Sequence, residues 1–121
     1  MTGVTSSHAA ADALFRLRPQ DEEARALCRR LADEIVEPVA RAADEERRFP
    51  DAAVQALARE GILGAPLPKE HGGLGWDALQ LVQMYEEIGR VDQSVRGFLS
   101  VHVGLVAQCL EQSGTAAQKA R

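Results

Sequence analysis

From Asp21 to Ala43 the apolar residues Ala24, Leu27, Leu31, Ile35 and Val39 recur every three or four positions, the spacing that lines one face of an α-helix. Pro38 falls inside this first helix, where it lacks a backbone donor and crowds the carbonyl of Glu34, so a kink or a tightened turn is predicted there. The charged run from Arg41 to Arg48 reads as its solvated end. A short second helix begins at Pro50, with Asp51 at the positive end of the dipole, Val54 and Leu57 facing inward, and Gly61 as its stop. Asp77 and Gln80 form a capping pair for a third helix through Ala78, Leu81, Val82, Tyr85 and Ile88; Leu79 and Met84 widen its apolar face, and Gly89 and Arg90 close it. Asp92 then caps a fourth helix that carries Val95, Phe98, Leu99, Leu105, Val106, Cys109 and Leu110 to about Ser113. Gly114 ends that helix, and Thr115 with Gln118 is a fresh capping box.

Between the second and third helices lies EGILGAPLPKEHGGLGWD, from Glu60 to Asp77. Its glycines and prolines dictate one backbone path, while Ile62, Leu63, Leu67, Leu74 and Trp76 are apolar anchors that a flexible linker lacks; the connector is expected to be part of the core. With no alternating strand-like run, 4% aromatic residues and no fixed-period repeat, the chain reads as all-α, an antiparallel bundle of about four helices. Residues 1–20 read as a flexible N-terminal segment and 21–121 as the helical domain, cut short at its C-terminal end because the Thr115 capping box opens a helix of a single turn.

Composition narrows the possible functions. Fourteen basic and 18 acidic residues, net charge −4, are spread along the 121-residue chain, which offers no basic face to nucleic acid or an anionic membrane. Without a signal peptide or a membrane-spanning run, the expected location is cytoplasmic. Cys28 and Cys109 are isolated among apolar neighbours and are expected to be buried, reduced thiols. No strand precedes a GxGxxG, and GxxxxGK[ST], HExxH, CxxC and the Glu-x-x-His of di-iron bundles are missing, which removes phosphate cradles and metal centres from the candidates. Glu86 and Glu87 point about 100° apart on a helix, so they read as surface solvation or a salt bridge rather than a catalytic pair.

His102 stands seven residues after Val95 and seven before Cys109, on the apolar stripe of the fourth helix, where an imidazole is buried or lines a pocket. Beside it Gly97, Ser100, Gly104 and Ala107 make a ridge of small side chains. Such a ridge admits either a neighbouring helix or an extended acyl chain walled by Val101, His102 and Leu105.

The succession of a helix ending in RRFP, then GILGAPLPKEHGGLG, LVQMYEEIGRVD and SVHVGLVAQCLEQSGT with QK resembles the amino-terminal helical domain of acyl-CoA dehydrogenases. That family shows a P-x-E-x-GG-x-G loop, a helix ending in E-E-[IL]-[AG]-R-x-D and a G-T-x-x-Q-K turn; His71 stands here where many relatives carry tyrosine. The resemblance implies an FAD-dependent enzyme that removes hydrogens from Cα and Cβ of an acyl-CoA or acyl-carrier thioester and passes electrons to an electron-transfer flavoprotein or similar acceptor. It also implies a homo-oligomer or a complementing chain. In the family the fourth helix borders the acyl pocket, so Ser100, Val101, His102 and Leu105 become candidate substrate-binding residues. The catalytic carboxylate and most of the flavin site belong to later domains, so no catalytic or flavin-binding residue is carried over and the isolated chain is expected to be inactive. Alternatives on the same scaffold are a flavin-dependent monooxygenase, an acyl-carrier-protein dehydrogenase, and a non-catalytic helical partner subunit. The third and fourth helices hold more apolar perimeter than a small bundle can cover, which calls for a further docked surface.

Overall fold

A proline and two acids in the first turn start the first helix in the computed structural model, which describes residues 16–120. This helix, α1, joins three stretches: Pro19–Leu31, a π-helical Ala32–Val36, and Glu37–Glu45. The amide of Glu37 donates to the carbonyl of Ala32, five residues back. The turn before Pro38 is therefore widened, not tightened. Adding a residue to the turn relieves the crowding between the proline ring and the helix carbonyls before it. Residues 1–15 of the segment expected to be flexible lie outside the described residues.

Helix α2 spans Asp51–Arg59, with Pro50 as its N-cap rather than its first residue, and buries Ala53 and Leu57. Gly61, at φ 80°, turns the chain into the connector. There, one-turn 3₁₀ pieces at Ile62–Gly64 and Lys69–His71 are locked by backbone bonds. Gly73 N–H donates to Pro68 (3.1 Å), Gly75 N–H to Leu67 (2.9 Å) and Trp76 N–H to Ala65 (2.9 Å). Ile62 and Ala65 are fully buried, and Leu63, Leu74 and Trp76 pack against the core, so the connector belongs to it.

Helix α3, Ala78–Val91, opens on the capping box read from the sequence: the Asp77 carboxylate accepts from the Leu79 and Gln80 amides, and the Gln80 side-chain oxygen accepts from the Asp77 amide. Met84 is buried, whereas Leu79 is exposed and adds nothing to the inward face. Asp92 closes α3 and opens α4, accepting from the Val95 amide at 2.8 Å. Helix α4 comprises Gln93–Leu99, a π-helical Ser100–Ala107 and Gln108–Ser113; α5, Ala116–Lys119, follows under its own Thr115–Gln118 box. Helices alone, with no strand among the described residues, realise the all-α class. Cys28, Leu31 and Val36 of α1 meet Met84 and Ile88 of α3 and Val95, Leu99 and Val103 of α4 in one core.

Polar groups staple the same layers. Glu87, its side chain 5% exposed, accepts from Arg25 (3.0 Å) and Arg29 (3.1 Å) of α1 and from Arg90 (3.4 Å), while Arg90 also pairs with Asp33. Of the two expectations for Glu87 the salt bridge holds, in a buried setting. Burial alone would raise its carboxyl; the arginine hydrogen bonds, led by Arg25 and Arg29, reverse this and hold it below the usual carboxylate range. Arg18 bridges Asp21 and the cap residue Asp77, 2.7 Å from each, and its hydrogen bonds lower both carboxyls.

Candidate functional site

The π-helical stretch decides where the side chains of α4 point. In an α-helix residues seven apart share a face, but a π turn takes in about one residue more. The buried residues of α4 accordingly fall every fourth position, at Val95, Leu99, Val103 and Ala107. The seven-residue relation among Val95, His102 and Cys109 is lost: His102 is only partly buried, and Cys109 is exposed, which corrects the expectation of two buried thiols. Cys28 is fully buried, and desolvation, aided by the charge of Glu87, pushes its thiol up to about 12. One maleimide per chain is therefore expected to react, at Cys109, with Cys28 modified only after denaturation. Mass mapping of the labelled peptides checks this, and fast labelling of Cys28 in the folded protein would contradict it.

The four residues singled out on α4 do not gather in one cavity. The Ser100 hydroxyl donates to the Gly97 carbonyl at 2.9 Å, satisfied within its own helix. Val101 and Leu105, 53% and 66% exposed, open outward with little cover from the other described residues. His102 alone faces a cleft. The ridge of small residues divides likewise. The Tyr85 hydroxyl lies 3.8 Å from where a Cβ on Gly104 would sit, so there the ridge serves helix packing, whereas Gly97 has open space. Burial raises the Tyr85 phenol above its ordinary range.

The cleft lies between the connector and α4, with a volume of about 440 Å³, inside the usual range for small-molecule sites. Leu63 and Leu67 of the connector and Val106 and Leu110 of α4 give it apolar walls, and His71 and His102 bring an imidazole from each element. At one edge Lys119 of α5 meets Glu111 at 3.6 Å. His102 is held by stacking on Phe98, centroids 5.6 Å apart and planes 14° from parallel, and Phe98 meets Phe49 at 5.6 Å and 54°. His71 carried no sequence signal beyond standing in a tyrosine's place, because its approach to α4 depends on how the connector folds back. A larger groove of about 710 Å³ at the α3–α4 junction is edged by Arg41 and Arg48, which are paired with Glu45 and Glu46, and it reaches none of the four candidates. Among the described residues no cluster of His, Cys, Asp and Glu is placed to hold a metal, and no helix is long and apolar enough to cross a membrane.

Fold and cleft together define an all-helical domain with a ligand-sized recess on one side of α4 and an uncovered apolar strip on another. Residues 18–121 match the family described as acyl-CoA dehydrogenase, N-terminal domain. The chain belongs to the acyl-CoA dehydrogenase family and corresponds to its N-terminal domain. It is 35% identical over 105 residues to the short-chain specific acyl-CoA dehydrogenase of Clostridium acetobutylicum, covering 87% of this chain and 28% of that protein. Over 105 residues it is 33% identical to the acryloyl-CoA reductase (NADH) of Anaerotignum propionicum, covering 87% of this chain and 26% of that one. A solved chain reported with the electron transferring flavoprotein of Acidaminococcus fermentans superposes with a TM-score of 0.83 at 25% identity, covering 88% of this chain and 28% of its own length. The chain thus spans about a quarter of the length of the curated relatives it matches.

Proposed function

We propose that this domain serves an FAD-dependent enzyme acting at the Cα–Cβ bond of an acyl thioester, with Ser100, Val101, His102 and Leu105 forming part of the wall of the acyl pocket. The observation that carries this is the exposure of Val101 and Leu105 on a helix whose opposite side is core: apolar side chains left open, each one position before a residue that lines the recess, His102 and Val106, suit an acyl chain and a second protein surface. The names of the relatives agree in substrate type, an acyl-CoA in one and acryloyl-CoA in the other.

FAD, when bound in the whole enzyme, supplies the two-electron acceptor. Every buried side-chain polar atom among the described residues already has a partner, so no unpaired buried group among them marks a flavin site, and we assign the cofactor to the length of the relatives that this chain does not span. The residues here shape the pocket and exclude water; none is assigned as the catalytic base. An electron-transferring flavoprotein as acceptor, assembly into an oligomer and a cytoplasmic location complete the proposal.

A chimaera tests it: residues 18–121 replace the matching region of the Clostridium acetobutylicum dehydrogenase. The purified product is expected to be yellow and to bleach on adding butyryl-CoA anaerobically, and Leu105→Asp in it to raise KM about tenfold by placing a charge against the acyl chain. A yellow chimaera that no saturated acyl thioester bleaches would refute the assignment.

A further inference from the structure

We propose that the cleft between the connector and α4 takes a flat aromatic ring, so that the acyl group served by this domain ends in an aryl moiety. This inference rests on the acyl-pocket reading and names the substrate class of that site. Three observations carry it. First, His102 borders the cleft in an offset, near-parallel arrangement with Phe98, centroids 5.6 Å apart and planes 14° from parallel, which leaves ring face for a ligand. Second, Phe98 is itself braced by Phe49 at 5.6 Å, so the imidazole is backed by a ladder of rings reaching from the segment before α2 into α4. A ring held this way keeps its orientation, and stacking geometry costs little further ordering when a planar ligand arrives. Third, His71 enters from the connector, and Leu63, Leu67 and Val106 supply the apolar sides, so a planar group meets π faces and aliphatic walls together. A linear alkyl chain would fill the volume and leave the imidazole faces unused. Val101 and Leu105 immediately precede His102 and Val106, which line the recess, so a thioester running along that strip can turn its tail past His102 into the cleft.

The test compares 3-phenylpropanoyl-CoA with 3-cyclohexylpropanoyl-CoA, which share a carbon skeleton and differ in planarity and π character, as ligands of the flavin-loaded chimaera, by titration of its flavin absorbance. The phenyl thioester is expected to bind roughly 3- to 10-fold more tightly, the range that aromatic pairing adds beyond burial. His102→Leu in the chimaera is expected to bring the phenyl advantage below about twofold, the loss of that same stacking increment. Equal affinities, or a phenyl advantage that His102→Leu leaves intact, would overturn the aryl assignment and leave the acyl wall standing. A yellow chimaera that binds neither thioester would overturn the acyl wall and the aryl assignment with it.

Discussion

Gly73→Ala is expected to destabilise the domain by about 3 kcal/mol, far more than alanine at the adjacent glycine. A Cβ on Gly73 would lie 2.0 Å from the Leu67 carbonyl oxygen and 2.4 Å from its carbon, both backbone atoms, so no rotamer change relieves the clash. Moving the two arms of the connector apart breaks the bonds from Gly75 to Leu67 and from Gly73 to Pro68, each worth about 1 kcal/mol, on top of an overpacking cost of about 1–3 kcal/mol. At Gly72 the neighbourhood is empty and only φ, at 79°, disfavours a side chain, which costs about 1–2 kcal/mol. Thermal denaturation should place Gly73→Ala about 10 °C below the unmodified protein, with Gly72→Ala roughly a third to two thirds as far down. Because the displaced connector carries Leu67 and His71, the cleft should open as well. Equal effects at the two glycines would mean that the close approach at Leu67 is absent in solution.

Much of the frame was legible because helix ends are written locally. Asp77 with Gln80, Asp92 before Val95, and Thr115 with Gln118 all make the bonds that their spacing implies, since a cap needs only residues within one turn. The connector was legible for a related reason: its glycines specify φ and its apolar residues specify burial. Two features were not. The π-helical stretches of α1 and α4 change the number of residues per turn without altering composition, so a period of 3.6 placed His102 on the core stripe and buried Cys109. Pro38 signals the first stretch, but the second has no comparable marker, and Ser100–Ala107 reads like any apolar helix. Pairing across the fold was equally hidden. Glu87 looks like a solvated acid until Arg25 and Arg29, 62 and 58 residues earlier, are brought alongside by the packing of α1 on α3. The candidate site shares this limit: its residues on α4 were identifiable, but the placing of His71 in the same cleft as His102 depends on the connector's path.

Glu87→Ala is expected to cost about 2 kcal/mol at neutral pH and to reduce the dependence of stability on acid. Removing one member of a fully buried ion pair costs about 3–5 kcal/mol and of a surface pair under 1. Glu87 is buried, but Arg25 and Arg29 are 45% and 55% exposed and regain water when the carboxylate is lost, so the value falls between those limits. The direction with pH follows from the carboxyl's depressed folded value: its stabilisation is complete above the unfolded glutamate value of about 4.3 and is lost as pH falls through the lower folded value. Urea unfolding of the unmodified protein and the variant should therefore show the largest gap at pH 7, narrowing below pH 4 as the unmodified protein protonates. An acid limb should persist in the variant, because Asp21 and Asp77 are also held low, by Arg18. A gap independent of pH would show that the loss came from packing at α1–α3 rather than from charge, and would remove Glu87 as the electrostatic staple of the two helices.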